Sequence, residues 1–67
     1  MNEIVKEWII TDLSEIIDDV RGALENEKLW LLGSDTVEEI QAHTENIKNL
    51  CEYMDYLCTE LRDVMEA

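Results

Sequence analysis

Apolar residues recur at alternating steps of three and four along two stretches of the chain, which is the spacing of one face of an α-helix. The first stretch contains the line Ile10, Leu13, Ile17, Val20, Leu24 and Leu31, with Ile9, Ile16, Ala23 and Trp30 beside it. The second contains Val37, Ile40, Thr44, Ile47, Cys51, Met54, Cys58, Leu61 and Met65, widened by Leu50, Leu57 and Val64. The pattern predicts two amphipathic helices, over about 3–32 and about 35–66.

The two periodic stretches are separated by a tight turn at Gly33-Ser34. We expect Gly33 to end the first helix in the left-handed conformation. Ser34 or Asp35 can cap the second helix, with Glu38 completing a capping box with Asp35. So short a connection forces the helices to lie antiparallel, which predicts an all-α helical hairpin. Gly22 leaves open a break in the first helix, which would give three helices.

The apolar stripes are too wide for two helices to bury, and exposed apolar area of that extent usually indicates a partner. A homodimeric four-helix bundle is the predicted assembly, and a complex with an unrelated protein is the alternative. The less apolar residues Glu27, His43 and Thr44 are candidates for setting the register. The residues predicted to form the interface are Ile10, Leu13, Ile17, Val20, Leu24, Leu31, Ile40, Ile47, Cys51, Met54, Cys58 and Leu61.

Size and charge restrict the classes of protein further. A chain of 67 residues forms one small domain, 1–67, which buries little surface by itself. Seventeen acidic residues against five basic ones give a net charge of −12, which opposes direct binding to nucleic acid. The apolar run from Leu29 to Leu32 is too short to cross a membrane, and two cysteines without a hydrophobic leader suggest a reducing compartment. We therefore expect a cytoplasmic protein with no membrane partner.

The cysteines and the histidine do not form a recognisable metal or cofactor site. Cys51 and Cys58 are one heptad apart, or roughly 10 Å along a helix, which is too far for a disulfide within the chain. We expect both to be packing residues on the buried face. His43 lies two turns before Cys51, so it is expected to form a local hydrogen bond rather than to bind zinc. No metal ligand and no cofactor are predicted.

Carboxylates spaced by three residues could in principle hold Mg²⁺. They are Asp12, Glu15 and Asp18, then Glu52 and Asp55, then Glu60 and Asp63. Helical nucleotide pyrophosphohydrolases use such pairs, but with the carboxylates facing into the bundle, whereas these are expected to face outwards. Ser14, Ser34, Thr11 and Thr59 also have no histidine within a turn to activate them. We predict no catalytic residue, and a Mg-dependent hydrolase is the least favoured alternative.

Three aromatic residues, Trp8, Tyr53 and Tyr56, are expected outside the apolar stripes and among acids. Aromatic side chains anchor interfaces and carboxylates steer a basic partner, so this surface is the candidate partner site. The alternative for Trp8 is packing against its own hairpin near residues 59–62. The partner-binding candidates are Trp8, Asp12, Glu15, Asp18, Asp19, Glu52, Tyr53, Asp55, Tyr56, Glu60 and Asp63.

Charge and surface together favour a non-enzymatic interaction or inhibitor protein. Its acidic surface would occupy the basic groove of a larger protein that handles nucleic acid. Small acidic helical proteins of phages and mobile elements often act in this way, against restriction or CRISPR effectors for example; this is an analogy of class, without a motif behind it. The alternative is a structural hairpin for oligomerisation or scaffolding, whose acidity only keeps it soluble.

Overall fold

A computed structural model describes residues 2–67 and contains two helices and no strand within that range. Helix α1 is Glu3–Leu32 and helix α2 is Val37–Glu66, each with 30 residues. The Asn2 side chain caps α1, because its Oδ1 accepts a hydrogen bond from the Ile4 N–H at 2.8 Å. Helix α1 continues through Gly22, so the three-helix alternative is wrong. A Cβ at Gly22 would meet nothing within 4 Å, because the position is exposed.

The helices lie antiparallel, as the sequence predicts, and one polar contact between them identifies the register. Nδ1 of His43 lies 2.7 Å from Oε2 of Glu27, across the hairpin. Residues whose numbers add up to about 70 therefore lie level with one another, which places Val20 beside Leu50. The hairpin is a rod with extents of 51 × 15 × 10 Å. The expectation that His43 bonds locally along its own helix is wrong, since its partner is on the other helix.

The core of the hairpin is a narrow line of contacts between α1 and α2 along the rod, which we call the seam. Only Ile17, Val20 and Leu57 are buried within the described chain. Five partly buried residues pack against them: Leu13, Leu24, Leu50, Met54 and Leu61. Several of the residues predicted to form the interface between chains therefore already contact the other helix of the same hairpin.

Cys51 and Cys58 are both exposed, so the prediction that they pack on the buried face is wrong for the hairpin. The apolar stripe of α2 is three positions wide, and the part of it that faces α1 comprises Leu50, Met54, Leu57 and Leu61. The larger side chains of this part remove more apolar surface from water than a cysteine does. The cysteines occupy the adjacent line of the stripe.

The end of α1 differs from the predicted left-handed cap. Gly33 has φ −93° and ψ 3°, in a region open to every L-residue. Its N–H is shared between the carbonyls of Leu29 and Trp30, at 3.2 Å each. The Ser34 hydroxyl donates to the Trp30 carbonyl at 2.8 Å. The last carbonyls are therefore satisfied without a left-handed residue, which is why the expected cap is unnecessary.

The start of α2 lies one residue beyond the predicted capping box. Thr36 is the cap, with an extended backbone, and its Oγ1 accepts from the Glu39 N–H at 3.1 Å. Glu39 returns a bond, since its Oε2 accepts from the Asp35 N–H at 3.1 Å. The prediction of Ser34 or Asp35 as cap, with Glu38 as the return partner, is therefore wrong. Thr36 and Glu39 have the same spacing as Asp35 and Glu38, so two overlapping patterns were present in the sequence.

The hairpin exposes much more surface than a compact chain of its size. Its accessible surface is 5059 Å², against about 4,400 Å² expected for a folded monomer of this mass. Its radius of gyration is 15.5 Å, against about 11 Å for a compact domain of this length. Twelve large hydrophobic side chains are exposed, among them Trp30 and Ile40. Part of the apolar surface that the pattern implies is therefore left uncovered by the hairpin.

Candidate interaction surfaces

Two long faces flank the seam between the helices, and helical geometry assigns residues to them. In an antiparallel pair of helices, the residues that come just after a seam residue in one helix lie on the same side of the pair as those that come just after a seam residue in the other helix. We call one face the acidic face, which comprises Asp12, Ile16, Asp19, Trp30, Tyr53, Tyr56, Glu60 and Asp63. We call the opposite one the mixed face, which comprises Ser14, Arg21, Lys28, Thr44, Lys48, Cys51, Asp55, Cys58, Arg62 and Met65.

The charges are unevenly divided between these faces. Of the five basic residues of the sequence, Arg21, Lys28, Lys48 and Arg62 lie on the mixed face. Lys6 lies on the line of α1 that faces α2. Within residues 2–67, the acidic face thus carries four carboxylates and no cation. A basic molecule would meet attraction along this face without competing positive charge.

Tyr53 and Tyr56 form an aromatic pair at the centre of the acidic face. Their ring centroids are 6.5 Å apart and their planes differ by 10°, which is a stacked arrangement. Their side chains stay open to solvent, with exposed fractions of 46% and 59%. The register places Ile16, also exposed, level with Tyr53 on α1. These three side chains form an apolar patch bordered by carboxylates.

A polar cluster lies near the turn end of the rod. Glu27 and His43 are largely withdrawn from solvent, with side chains 12% and 24% exposed. The hydrogen bond between His43 Nδ1 and Glu27 Oε2, at 2.7 Å, joins the two helices here. The Trp30 ring lies against His43, with centroids 5.8 Å apart and planes inclined by 50°. The cluster joins the two helices near the turn, whereas Thr44, the third residue expected to set the register, is exposed on the mixed face.

The predicted partner-binding residues are exposed, with Glu60 half-buried, but they do not form one surface. Six of them share the acidic face: Asp12, Asp19, Tyr53, Tyr56, Glu60 and Asp63. Trp8, Glu15 and Asp18 lie on the outer side of α1, Glu52 on the outer side of α2, and Asp55 on the mixed face. Trp8 is level with Arg62, as expected, yet its side chain is 66% exposed, so packing against its own hairpin is not observed.

The mixed face combines exposed thiols with charges of both signs. Cys51 and Cys58 lie along it, between Lys48, Asp55 and Arg62. Near its end, a shallow open groove of about 440 Å³ is lined by Cys58, Leu61, Arg62, Met65 and Glu66. Sequence reasoning missed the division into two faces, because it placed the cysteines inside and so did not identify the line of α2 that faces α1.

Across residues 2–67 the structure has no group of three or more His, Cys, Asp or Glu side chains placed to hold a metal ion. Neither described helix combines the length and apolar character needed to cross a membrane. No known protein family matches the sequence, and no curated protein or solved structure is significantly similar to it.

Proposed function

We propose that this chain is a non-enzymatic interaction module whose acidic face binds a basic surface on a larger, nucleic-acid-handling protein. The observation that carries the proposal is the exposed pair of Tyr53 and Tyr56, bordered by carboxylates on a face without a cation in residues 2–67. Tyrosine side chains have few rotatable bonds, so they lose little conformational entropy when they bind a partner. Tyrosine is also enriched at the centres of interfaces. The four carboxylates of this face attract the partner and orient it.

The proposed partner surface is one that otherwise binds phosphates. A rod of 51 Å is about as long as 15 base pairs of B-form DNA, at about 3.4 Å each. Carboxylates distributed along such a rod are negatively charged, as the phosphates of a nucleic acid backbone are. A basic groove would therefore attract both. Occupying that groove would exclude the nucleic acid, which is the action of an inhibitor of the anti-restriction or anti-CRISPR type.

The test compares two variants with the same change in net charge. In the first, Asp12, Asp19, Glu60 and Asp63 become their amides; in the second, Glu15, Asp18, Glu25 and Glu52 do. A partner captured by the wild-type protein from its host is identified by mass spectrometry and its affinity for each variant is measured. The acidic-face variant is expected to bind roughly tenfold more weakly or worse at low salt, and the second to bind nearly as the wild type.

Salt and nucleic acid distinguish mimicry from other kinds of binding. The affinity is expected to fall as ionic strength rises, because the attraction is between exposed charges. Added DNA or RNA is expected to compete for the same groove. Affinity that is unaffected by both would refute the mimicry, and equal affinities of the two charge variants would refute the assignment to the acidic face.

A second candidate is an oligomerisation or scaffolding hairpin, supported by the uncovered apolar surface. In both cases we propose that two hairpins associate as a four-helix bundle, since a surface of 5059 Å² exceeds what a compact monomer of this mass exposes. For a scaffold, replacing the exposed Ile40 and Cys51 by charged residues should abolish dimer and function together, while the acidic-face amides should change neither. Loss of function in the amide variant with the dimer intact would exclude the pure scaffold.

A further inference from the structure

We infer that the mixed face is covered by a second copy of this chain, with the two α2 helices antiparallel and the two-fold axis at Cys51. The inference rests on the proposed dimer and adds its orientation, register and central residue. It is independent of what binds the acidic face, because the two faces lie on opposite sides of the rod.

The exposed line of α2 is symmetric about Cys51. It comprises Val37, Thr44, Cys51, Cys58 and Met65, at intervals of seven residues. All five are exposed on the single hairpin. Two such lines packed antiparallel about Cys51 bring Val37 beside Met65 of the partner copy, and Thr44 beside Cys58. Every residue of the line then gains a neighbour, which a two-fold interface requires.

The open groove near the end of α2 fits the same arrangement. Cys58, Leu61, Arg62 and Met65 are spaced as the four residues that form a hole in helix packing, and they line this groove. With the axis at Cys51, the residue of the second copy that lies level with the groove is Ile40. Its side chain is 44% exposed on the single hairpin and would fill the groove as a knob.

Charge complementarity selects a second copy in this register. Lys48 and Asp55 border the exposed line on its outer side, three and four residues from Cys51, and both are exposed. About an axis at Cys51, each Lys48 meets Asp55 of the other copy, so two ion pairs form across the interface between the copies. Neither residue has an ion pair with another group of residues 2–67.

The net charge of −12 explains why this face, and not the acidic one, serves for self-association. Two acidic faces in contact would bring eight carboxylates together without a cation from residues 2–67. The mixed faces instead carry Arg21, Lys28, Lys48 and Arg62, and they pair Lys48 of each copy with Asp55 of the other. Like-charge repulsion thus leaves the acidic face free for a different, basic partner.

Cross-linking of single-cysteine variants tests the arrangement. Cys58→Ser retains only Cys51, and Cys51→Ser retains only Cys58 as the matched control. A short bis-maleimide should link the two chains of the first variant efficiently, because its thiols face each other at the axis. In the control the two Cys58 lie 14 residues apart along the antiparallel helices, or about 21 Å, so little product is expected. Circular dichroism checks that both variants remain helical.

Each other outcome contradicts the inference in a distinguishable way. Efficient linking of both variants would indicate parallel helices, and linking of neither, with a dimer still seen by sedimentation, would place the interface elsewhere. A monomeric mass by sedimentation would refute the dimer itself. The acidic-face proposal is tested separately, by the two charge variants.

A charge exchange provides a readout that does not involve the thiols. Lys48→Asp and Asp55→Lys should each raise the dimer dissociation constant by roughly five- to tenfold, because each creates like-charge contacts twice across the axis. The double variant should restore most of the affinity. Failure of the double variant to recover would overturn the register.

Discussion

At the end of α1, Gly33 has φ −93°, and a Cβ built there would lie 3.7 Å from the Leu29 carbonyl oxygen, an ordinary contact. Gly33→Ala is therefore expected to raise the free energy of unfolding by about 0.4–1 kcal/mol, because alanine restricts the unfolded chain. Thermal denaturation at fixed protein concentration measures it. Gly22→Ala, in the middle of α1, is the matched control and should stabilise by a similar amount. Destabilisation at Gly33 alone would show that the residue needs a left-handed conformation.

Thr36 and Asp35 compete for the role of cap, and the hydrogen bonds separate them. The Thr36 hydroxyl accepts from the Glu39 N–H, whereas the contact of Asp35 with Glu39 uses its backbone N–H. Thr36→Ala should therefore cost about 1 kcal/mol of stability, and Asp35→Ala clearly less. Chemical denaturation of both variants gives the comparison. A larger loss for Asp35→Ala would indicate that Asp35 is the cap of α2, as the sequence pattern predicts.

At the scale of the elements, both helices were predictable, because each apolar period persists for nearly 30 residues, interrupted in α1 only by Glu27. The side of α2 that faces α1 was harder to predict. Leu57 and Cys58 both belong to lines with helical spacing, and periodicity alone does not choose between adjacent lines. Side-chain size was the available signal, since leucine gains more from burial than cysteine does.

The difference in burial between Leu57 and Cys58 predicts how much each side chain contributes to the stability of the hairpin. Leu57 is 3% exposed and touches the core of the hairpin, whereas Cys58 is exposed. Leu57→Ala should lower the free energy of unfolding by about 2–4 kcal/mol, because it leaves a cavity in a core of only three buried residues. Cys58→Ala should cost well under half as much. Equal losses in urea denaturation would contradict the assignment of the buried line.

At the scale of the whole molecule, the acids could be placed on the outside from the sequence, but not sorted into faces. Asp12 and Asp18 both flank the apolar stripe of α1, yet only Asp12 lies on the same face of the rod as the stacked tyrosines. Sorting them required the buried line of each helix, and finding which residues lie level required the contact of Glu27 with His43. The hydrogen bond joins residues 16 apart in sequence, and no local pattern specifies it.

The central claim is that the hairpin is half of an assembly, because a chain with three buried residues leaves its apolar stripes in water. Sedimentation equilibrium of the full chain, at physiological salt and over a range of micromolar concentrations, tests this most directly. The account predicts a mass of twice 7.8 kDa, with dissociation only on dilution. A mass of one chain throughout that range, with the helical circular dichroism signal intact, would contradict it.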